Sequence, residues 1–270
     1  MASVSTTMPA ATFARPNPLR ICFKEAKYEF LKCLRLPMYS VSTMLFPIMF
    51  YVLFGLVMGR QTIGSISTSV YLIPAYGTFG VMGASLFGTA ATLAGDRGLG
   101  WLQVKRASPM PIYAYFLAKV VMSVIFSTVD VLALLTLGVA FGGVHIPTLV
   151  AAKLVLTLVS GSLPFCTMGL AIGYFAGPTS APAVINIFYL PMSFCSGLWM
   201  PFMFLPKFVQ KIAVFLPLLP PYHLSQLVFH QVGAGQGGQI LWHWESLLGF
   251  SLVCLGIAWV GHQRDQKANG

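Results

Sequence analysis

Charged side chains are scarce in this sequence, and acidic ones are the scarcest. Of 270 residues, only 6 are Asp or Glu and 16 are Lys or Arg, so that charged residues make up 8% of the chain. A soluble domain carries about a quarter. Hydrophobic residues make up 57%, which is more apolar surface than one globular core of this length can hide from water. The composition therefore excludes an ordinary soluble domain and indicates a membrane protein.

Sequence motifs of soluble catalysis are also missing. The chain contains no GxxxxGK(S/T) phosphate loop, no GxSxG nucleophile elbow and no HExxH zinc motif. The glycine-rich stretch from Gly233 to Gly238 lacks the lysine that would contact a phosphate. The five cysteines show no CxxC spacing, which argues against a disulfide framework or a zinc site. We therefore expect a protein that is not an enzyme and holds no metal or cofactor of its own.

Long stretches without charge place the membrane spans. A helix needs about 20 residues to cross a hydrocarbon layer of about 30 Å. Ionised groups are costly at that depth, so they mark the ends of spans. The intervals between charges predict an all-α integral membrane protein with six transmembrane helices, over residues 38–59, 70–94, 114–141, 149–175, 181–200 and 240–261.

The distribution of basic residues orients these spans. Eleven Lys and Arg residues fall on the two termini and on the segment between the second and third spans, whereas four fall on the opposite face: Arg60, Lys153, Lys207 and Lys211. Basic residues accumulate on the cytoplasmic side, so we expect both termini to be cytoplasmic. The net charge of +10 is then a topology signal. The basic residues flank apolar runs and form no polar face with stacking aromatics, so no nucleic-acid partner is expected.

Segments outside the spans divide the rest of the chain. Residues 18–36 show an apolar stripe of about 120° on a helical wheel, with charged residues around it, which predicts an amphipathic interfacial helix that stops at Pro37. We expect residues 1–17 to form a disordered tail, 38–261 the six-span domain and 262–270 a short cytoplasmic tail. The apolar stretch 201–222 is broken by Pro206, Pro217, Pro220 and Pro221, so short re-entrant helices at the outer surface are predicted there.

Polar and small residues within the spans suggest specific contacts. Asp130 is an acid in the middle of a predicted span, where an unpaired carboxylate costs about 2.5–3.5 kcal/mol. It is therefore expected either to contact a cationic substrate or to make a structural hydrogen bond to a neighbouring helix. Small residues recur at spacing four and predict close helix packing, within the chain or between two chains; they are Gly80, Ala84 and Gly88, and Gly169, Gly173 and Gly177.

The segment from Gly95 to Pro111 combines charged residues with large apolar ones on the predicted cytoplasmic side. A simple linker would not need these apolar residues, so the segment offers a partner an apolar anchor ringed by charges. The alternative is that Trp101 belongs to the aromatic belt at the membrane interface. The candidate site residues are Asp96, Arg97, Gly98, Trp101, Leu102 and Arg106.

This pattern resembles the cytoplasmic signature of the ABC type-2 permeases, the membrane subunits of ABC exporters. The matching features are the pair Asp96-Arg97, the glycine after it, a leucine-containing helical turn, and Ser108-Pro109 before the third span. The stretches 194–201, 205–206 and 216–222 are similar to the end of that family's fifth span and its proline-rich approach to the sixth. The resemblance extends over nearly the whole chain.

The resemblance implies a transport subunit in the cytoplasmic membrane of a prokaryote. Two permease chains would form the pathway, and two separate ATPase subunits would bind under the Gly95–Pro111 segments and hold ATP and Mg²⁺. Aromatic and methionine-rich spans suit an amphipathic or lipid-like substrate of the drug or antibiotic class. Two alternatives stay open: export of a polysaccharide, and a membrane anchor or assembly subunit with no transport role.

Overall fold

The computed structural model describes most of the chain. The described residues are 18–35, 37–57, 62–63, 66–108, 110–200, 204–215, 219–235 and 239–269. The tail predicted over residues 1–17 therefore lies outside the described residues, as do parts of the proline-rich stretch 201–222.

Most described residues are helical. The described residues also include one short antiparallel pair of strands, β1 (Thr62–Ile63) and β2 (Ile66–Ser67), which precedes the third helix. The helices in chain order are α1 (Pro18–Leu34), α2 (Pro37–Phe50), α3 (Thr68–Leu86), α4 (Thr92–Gly98), α5 (Trp101–Ala107), α6 (Ile112–Phe141), α7 (Thr148–Ser160), α8 (Ser162–Phe175), α9 (Ala181–Cys195), α10 (Lys207–Phe215), α11 (Pro220–Gln231) and α12 (Ile240–Asn269). Helix α2 continues as a π-helical turn over Tyr51–Leu56, and a second π-helical turn, Phe87–Ala91, joins α3 to α4.

Four helical stretches of the described chain are long and apolar enough to cross a membrane: Thr68–Gly98, Ile112–Phe141, Thr148–Phe175 and Ile240–Lys267. They coincide with the second, third, fourth and sixth predicted spans. The first and fifth correspond to two shorter apolar helices, Thr43–Leu56 and Ala181–Cys195. Fifteen residues rise only about 22 Å, less than the hydrocarbon thickness. The all-α membrane class is confirmed, whereas the count of six spans stays a prediction.

Helix α3 is the centre of the bundle, because every residue in it except Val70 is buried. Its small residues let neighbouring helices approach closely. Gly80 lies against Pro47 of α2 and Asp130 of α6. Gly88, in the π-helical turn that follows α3, lies against Tyr39 and Ser123 of the same two helices. Packing within the chain therefore accounts for this small-residue stripe.

The stripe on α8 has a similar role. Gly169 lies against Thr89, and Gly173 against the carbonyl oxygen of Ala90 and the side chain of Leu93. These contacts pack α8 on the π-helical turn that follows α3. Gly177 is different: among the described residues, a Cβ there would lie within 4 Å of one side chain, that of Ser180 in the turn before α9.

The two ends of the chain differ in part from their predicted form. Helix α1 covers almost all of the predicted helix over 18–36, and its buried face, with Glu29 and Cys33, packs against α6. Its position in the headgroup plane stays a prediction. Residues 262–269, most of the short tail predicted over 262–270, continue α12, and both His262 and Asp265 are buried. The cytoplasmic position of this tail stays a prediction.

The proline-rich region forms two helices that begin beside prolines. Pro206 precedes α10, and Pro220 and Pro221 occupy the first turn of α11, where proline costs no backbone hydrogen bond. Helix α11 is almost entirely buried and packs against α3, with the rings of Tyr71 and Phe229 stacked at 4.6 Å between centroids. It is therefore part of the bundle. Its depth in the membrane stays a prediction.

Candidate functional site

Every salt bridge between described residues lies at one end of the bundle. We call this the charged end; it consists of α1, α4, α5, the first turns of α6 and the last turns of α12. Ionised groups are costly inside a membrane unless they are paired, so this concentration of ion pairs makes the charged end the candidate functional site. The predicted site residues, apart from Asp130, all lie here.

The Gly95–Pro111 segment is largely helical: it contains the end of α4 and the whole of α5, the paired short helices of the charged end. Helix α4 continues the direction of α3 as far as Gly98, and the chain then turns at Gly100, whose φ of +73° is in the left-handed region that glycine adopts freely. Gly98 abuts the turn before α9, because a Cβ there would lie 2.0 Å from Cγ of Pro178. These glycines let α5 fold back along the end of the bundle.

Lys119 organises the first of two ion clusters at the charged end. Its side chain is completely buried, and Nζ donates hydrogen bonds to Oε1 of Glu29 at 2.6 Å, Oγ1 of Thr92 at 2.7 Å and Oδ2 of Asp96 at 3.2 Å. A buried cation requires such partners. The contacts join α6 to both α1 and α4.

Asp96 receives two further hydrogen bonds in this first ion cluster. The hydroxyl of Tyr115 donates to Oδ2 at 2.7 Å, and Nζ of Lys32 donates to Oδ1 at 2.5 Å. Burial lowers the pKa of Lys32, but the carboxylates of Glu29 and Asp96 outweigh burial and raise it above its ordinary value. Asp96, predicted to meet a partner, is therefore satisfied within the chain. The first ion cluster consists of Glu29, Lys32, Thr92, Asp96, Tyr115 and Lys119.

The second ion cluster joins the paired short helices to α8 and α12. Asp265 of α12 accepts hydrogen bonds from Nε of Arg97 at 3.0 Å and from Arg106 at 2.9 Å. Arg97 also donates to the carbonyl oxygen of Gly173 at 2.9 Å. The hydroxyl of Tyr174 lies 2.9 Å from Nδ1 of His262. The second ion cluster consists of Arg97, Arg106, Tyr174, His262 and Asp265.

The two predicted apolar anchors have opposite environments. Trp101 is 55% exposed, but Leu102 is only 2% exposed and packs against Leu93 and Tyr115. The interpretation that this segment exposes Leu102 together with Trp101 is therefore wrong, whereas the role of the segment in partner binding stays a prediction. Leu99 and Val104 are exposed with Trp101, and Trp101 and Val104 share a face because they are three residues apart on a helix. We call Leu99, Trp101 and Val104 the apolar patch.

Asp130 lies far from the charged end, in the middle of α6. Its side chain is 1% exposed, and neither carboxyl oxygen forms a hydrogen bond with another described residue. It lies directly against Gly80, since a Cβ there would lie 1.7 Å from Oδ2. The expected hydrogen bond to a neighbouring helix is thus not found within the described part of the chain. The carboxyl also lies on no surface that a substrate could reach in this conformation.

Of the residues in the two ion clusters, only Asp96, Arg97 and Arg106 were predicted as site residues. Lys119, Glu29 and Asp265 are among those that sequence reasoning missed. Lys119 carried a usable signal, because a lysine inside a predicted span needs an acidic partner. Glu29 was assigned to the charged face of an interfacial helix, and Asp265 to a short cytoplasmic tail. Their partners lie 90 and 168 residues away along the chain, and no local pattern indicates such pairs.

An apolar groove lies between α8, α9 and α12. Its volume is about 600 Å³, and it is lined by apolar side chains that include Met168, Phe175, Phe188, Met192 and Phe250. A groove with so few hydrogen-bonding groups suits an acyl chain or another apolar moiety.

Comparison with known proteins adds an independent line of argument. Residues 22–230 match the family described as ABC-2 type transporter. The chain is also similar to a Bacillus subtilis (strain 168) protein named "Putative transport permease YvfS", with 23% identity over 224 residues, which is 83% of this chain and 89% of that protein. The family match includes the whole Gly95–Pro111 segment and ends within α11, so α12 with Asp265 lies beyond it.

Proposed function

Because this chain belongs to the ABC-2 type transporter family and is a multi-pass membrane permease, we propose that it forms half of an export pathway driven by a separate ABC ATPase. A second permease chain supplies the other half. ATP and Mg²⁺ are bound by the ATPase subunits, and the charged end faces the cytoplasm of a prokaryotic cell. The cargo is amphipathic or lipid-like and moves outward.

The apolar patch is the observation that supports ATPase docking. Large apolar side chains exposed to water are unfavourable unless a partner covers them. The patch lies on α5 and the turn before it, at the end of the bundle with the basic residues that predict the cytoplasmic side. The surrounding charges Asp96, Arg97 and Arg106 are engaged within the chain. They therefore hold the patch in place, and the patch itself contacts the ATPase.

The two ion clusters support transmission of movement from α5 to the spans. The first joins α4 to α1 and α6, and the second joins α4 and α5 to α8 and α12. A further ion pair between Lys105 and Glu25 joins α5 to α1. A short, well-connected pair of helices moves as a rigid body. Displacement of α5 by the ATPase therefore tilts the spans together and opens the pathway to the other side.

We further propose that the chain crosses the membrane six times. Lys32 of α1 and Asp96 meet at the charged end, and α3 begins at the opposite end, so the helical run from Pro37 to Leu56 returns the chain across the bundle. In the same way Pro178 contacts Gly98 at the charged end, while α12 comes back to that end with Asp265. Helix α9 then supplies the fifth crossing.

The apolar groove supports the proposed cargo class. A polysaccharide would require hydrogen-bonding groups along its path, and the groove between α8, α9 and α12 offers almost none. An apolar moiety of an amphipathic molecule fits a groove of this size.

Transport assays with the purified complex test the proposal. The chain and its ATPase, reconstituted with the ATP-binding face outward, should take up an amphipathic dye when ATP is added. A hydrolysis-deficient ATPase provides the control and should give no uptake. ATP-driven dye release from the same vesicles would contradict the direction. Stimulation of ATP hydrolysis by an oligosaccharide but by no amphipathic compound would contradict the cargo class.

A further inference from the structure

Four polar side chains follow one face of α6 from the charged end to mid-membrane. Lys119, Ser123, Ser127 and Asp130 are spaced by four, four and three residues, which places them on the same side of a helix. All four are buried. Such a continuous buried polar row is unusual in a membrane helix, where polar groups are rare and mark function.

Small residues of α3 and of the π-helical turn that follows it provide the space for this row. A Cβ at Gly80 would lie 1.7 Å from Oδ2 of Asp130, and one at Gly88 would lie 3.1 Å from Oγ of Ser123. Ser85, also on α3, is buried on the same side, and Ser85 and Ser123 both lie beside the thiol of Cys166 on α8. We call Ser85, Ser123, Ser127 and Asp130 the polar seam, with Lys119 at its mouth.

Several polar atoms of the seam have no hydrogen-bond partner among the described residues. Within the described part of the chain, Oγ of Ser127 and both carboxyl oxygens of Asp130 have no hydrogen-bond partner. The hydroxyls of Ser85 and Ser123 have no oxygen or nitrogen partner there either, and a thiol is a weak one. Buried polar groups are almost always hydrogen-bonded, and those without protein partners are commonly bonded to buried water.

The spacing of the seam fits water. Groups one helical turn apart are separated by roughly 5.4 Å along the axis, and two hydrogen bonds through one oxygen reach about 5.6 Å. The length of one water bridge therefore matches the axial separation of neighbouring seam positions on α6. At the mouth, Lys119 contacts Asp96, which binds the 40% exposed side chain of Lys32, so the row leads to the solvated charged end.

We propose that the polar seam holds a file of water molecules and that Asp130 is a proton-binding site supplied through it from the charged end. An ionised carboxylate without a partner is costly at this depth, so a bound proton stabilises the side chain. The water file lets this proton exchange with bulk solvent. This site goes beyond the proposed transport role and does not depend on the ATPase. Among the described residues, the other titratable groups that face the seam are Tyr39 of α2, Cys166 of α8, Tyr189 of α9 and, at the mouth, Glu29, Asp96, Tyr115 and Lys119.

Infrared spectroscopy of the full chain in lipid vesicles tests the site. The chain has only six Asp and Glu residues, so the C=O stretching band of a protonated carboxyl can be assigned by subtracting the spectrum of Asp130→Asn. We expect this band in the parent protein and a shift to lower frequency when the buffer is exchanged for D₂O. Ser127→Ala removes one hydrogen-bonding group of the water file. Exchange of the Asp130 proton for deuterium should then be roughly tenfold slower, the effect of losing about one hydrogen bond.

Ser251→Ala is the matched control, because Ser251 lies on α12 and donates to the carbonyl oxygen of Leu247. This variant should exchange at the parent rate. Absence of the protonated-carboxyl band, a band that does not shift in D₂O, or equal slowing by Ser127→Ala and Ser251→Ala would each overturn the proposal. Asp130→Asn should elute from a size-exclusion column at the same volume as the parent protein. This verifies that the two subtracted spectra both come from folded protein.

Discussion

Among single residues, Trp101 carries the most direct test of partner binding. A large aromatic at the centre of an interface often contributes about 2 kcal/mol or more, which corresponds to a weakening of roughly thirtyfold when it is truncated. Trp101→Ala should therefore reduce ATPase recovery in a pull-down by about that factor. The purified permease should unfold at an unchanged temperature, because the side chain is exposed.

Two control variants separate the loss of a docking contact from other effects of truncating a large side chain. Trp242→Ala truncates another half-exposed tryptophan, on α12 far from the patch, and should not affect ATPase recovery. Leu102→Ala should instead lower the unfolding temperature, because Leu102 is in the core and cavity formation costs about 2–5 kcal/mol. Full ATPase recovery with Trp101→Ala would support the alternative that Trp101 lies in the aromatic belt of the membrane.

Lys119 is the residue on which the first ion cluster depends for stability. Lys119→Met keeps the length of the side chain but leaves Glu29 with one contact fewer and its negative charge buried. Breaking a buried pair from one side costs about 3–5 kcal/mol, so the unfolding temperature in detergent should fall sharply. Lys27→Met, on the exposed face of α1, should change it little. Equal effects of the two variants would contradict a stabilising role for the cluster.

At the scale of elements, the contact of α3 with α6 depends on Gly80. Gly80→Ala should destabilise the protein by about 1–3 kcal/mol, because the added methyl group overlaps Asp130. In the double variant with Asp130→Ser the clash is removed, so stability should largely return. Gly256→Ala is the control, since nothing lies within 4 Å of a Cβ there and alanine is the better helix former. Additive losses in the double variant would show that Asp130 and Gly80 are not in contact.

The link between the paired short helices and α12 depends on Asp265. Asp265→Ala removes the acceptor of Arg97 and Arg106 but leaves the apolar patch in place. We expect nearly unchanged ATPase binding and a lower amount of cargo moved per ATP hydrolysed, because α5 can then move without α12. Gln266→Ala, an exposed neighbour, should transport normally. Loss of ATPase binding in Asp265→Ala would place Asp265 in docking and not in transmission.

The sequence predicted elements better than it predicted their orientation. Charge-free intervals located four long helices, and the apolar stripe located α1, because burial in lipid or against the bundle requires those patterns. The orientation of α5 was not predictable, since a helix of seven residues has its face chosen by tertiary packing. Leu102 was therefore expected outside although it lies inside. The contacts that join different helices in the ion clusters pair residues 19 to 168 positions apart, which a local pattern does not reveal.

At the scale of the whole molecule, the proposed topology requires the charged end to be cytoplasmic and the opposite end to be outside. Single cysteines, introduced into a chain whose five native cysteines are replaced, test this orientation. His145→Cys, between α6 and α7, and Gln239→Cys, before α12, are exposed positions at the opposite end. Both should react with a membrane-impermeant thiol reagent added to intact cells.

Gln103→Cys on α5 and Gln266→Cys on α12 are exposed positions at the charged end and should react only after the cells are permeabilised. The pattern discriminates between span counts because Gln239 and Gln103 are separated by α6 to α11. If α9 did not cross, Gln239→Cys would be protected in intact cells while His145→Cys stayed reactive. If the whole bundle were inverted, Gln103→Cys and Gln266→Cys would react first. Six crossings with the basic residues inside require that, in intact cells, His145→Cys and Gln239→Cys react and the other two variants do not. In that topology α12 returns Asp265 to the same side as Arg97 and Arg106.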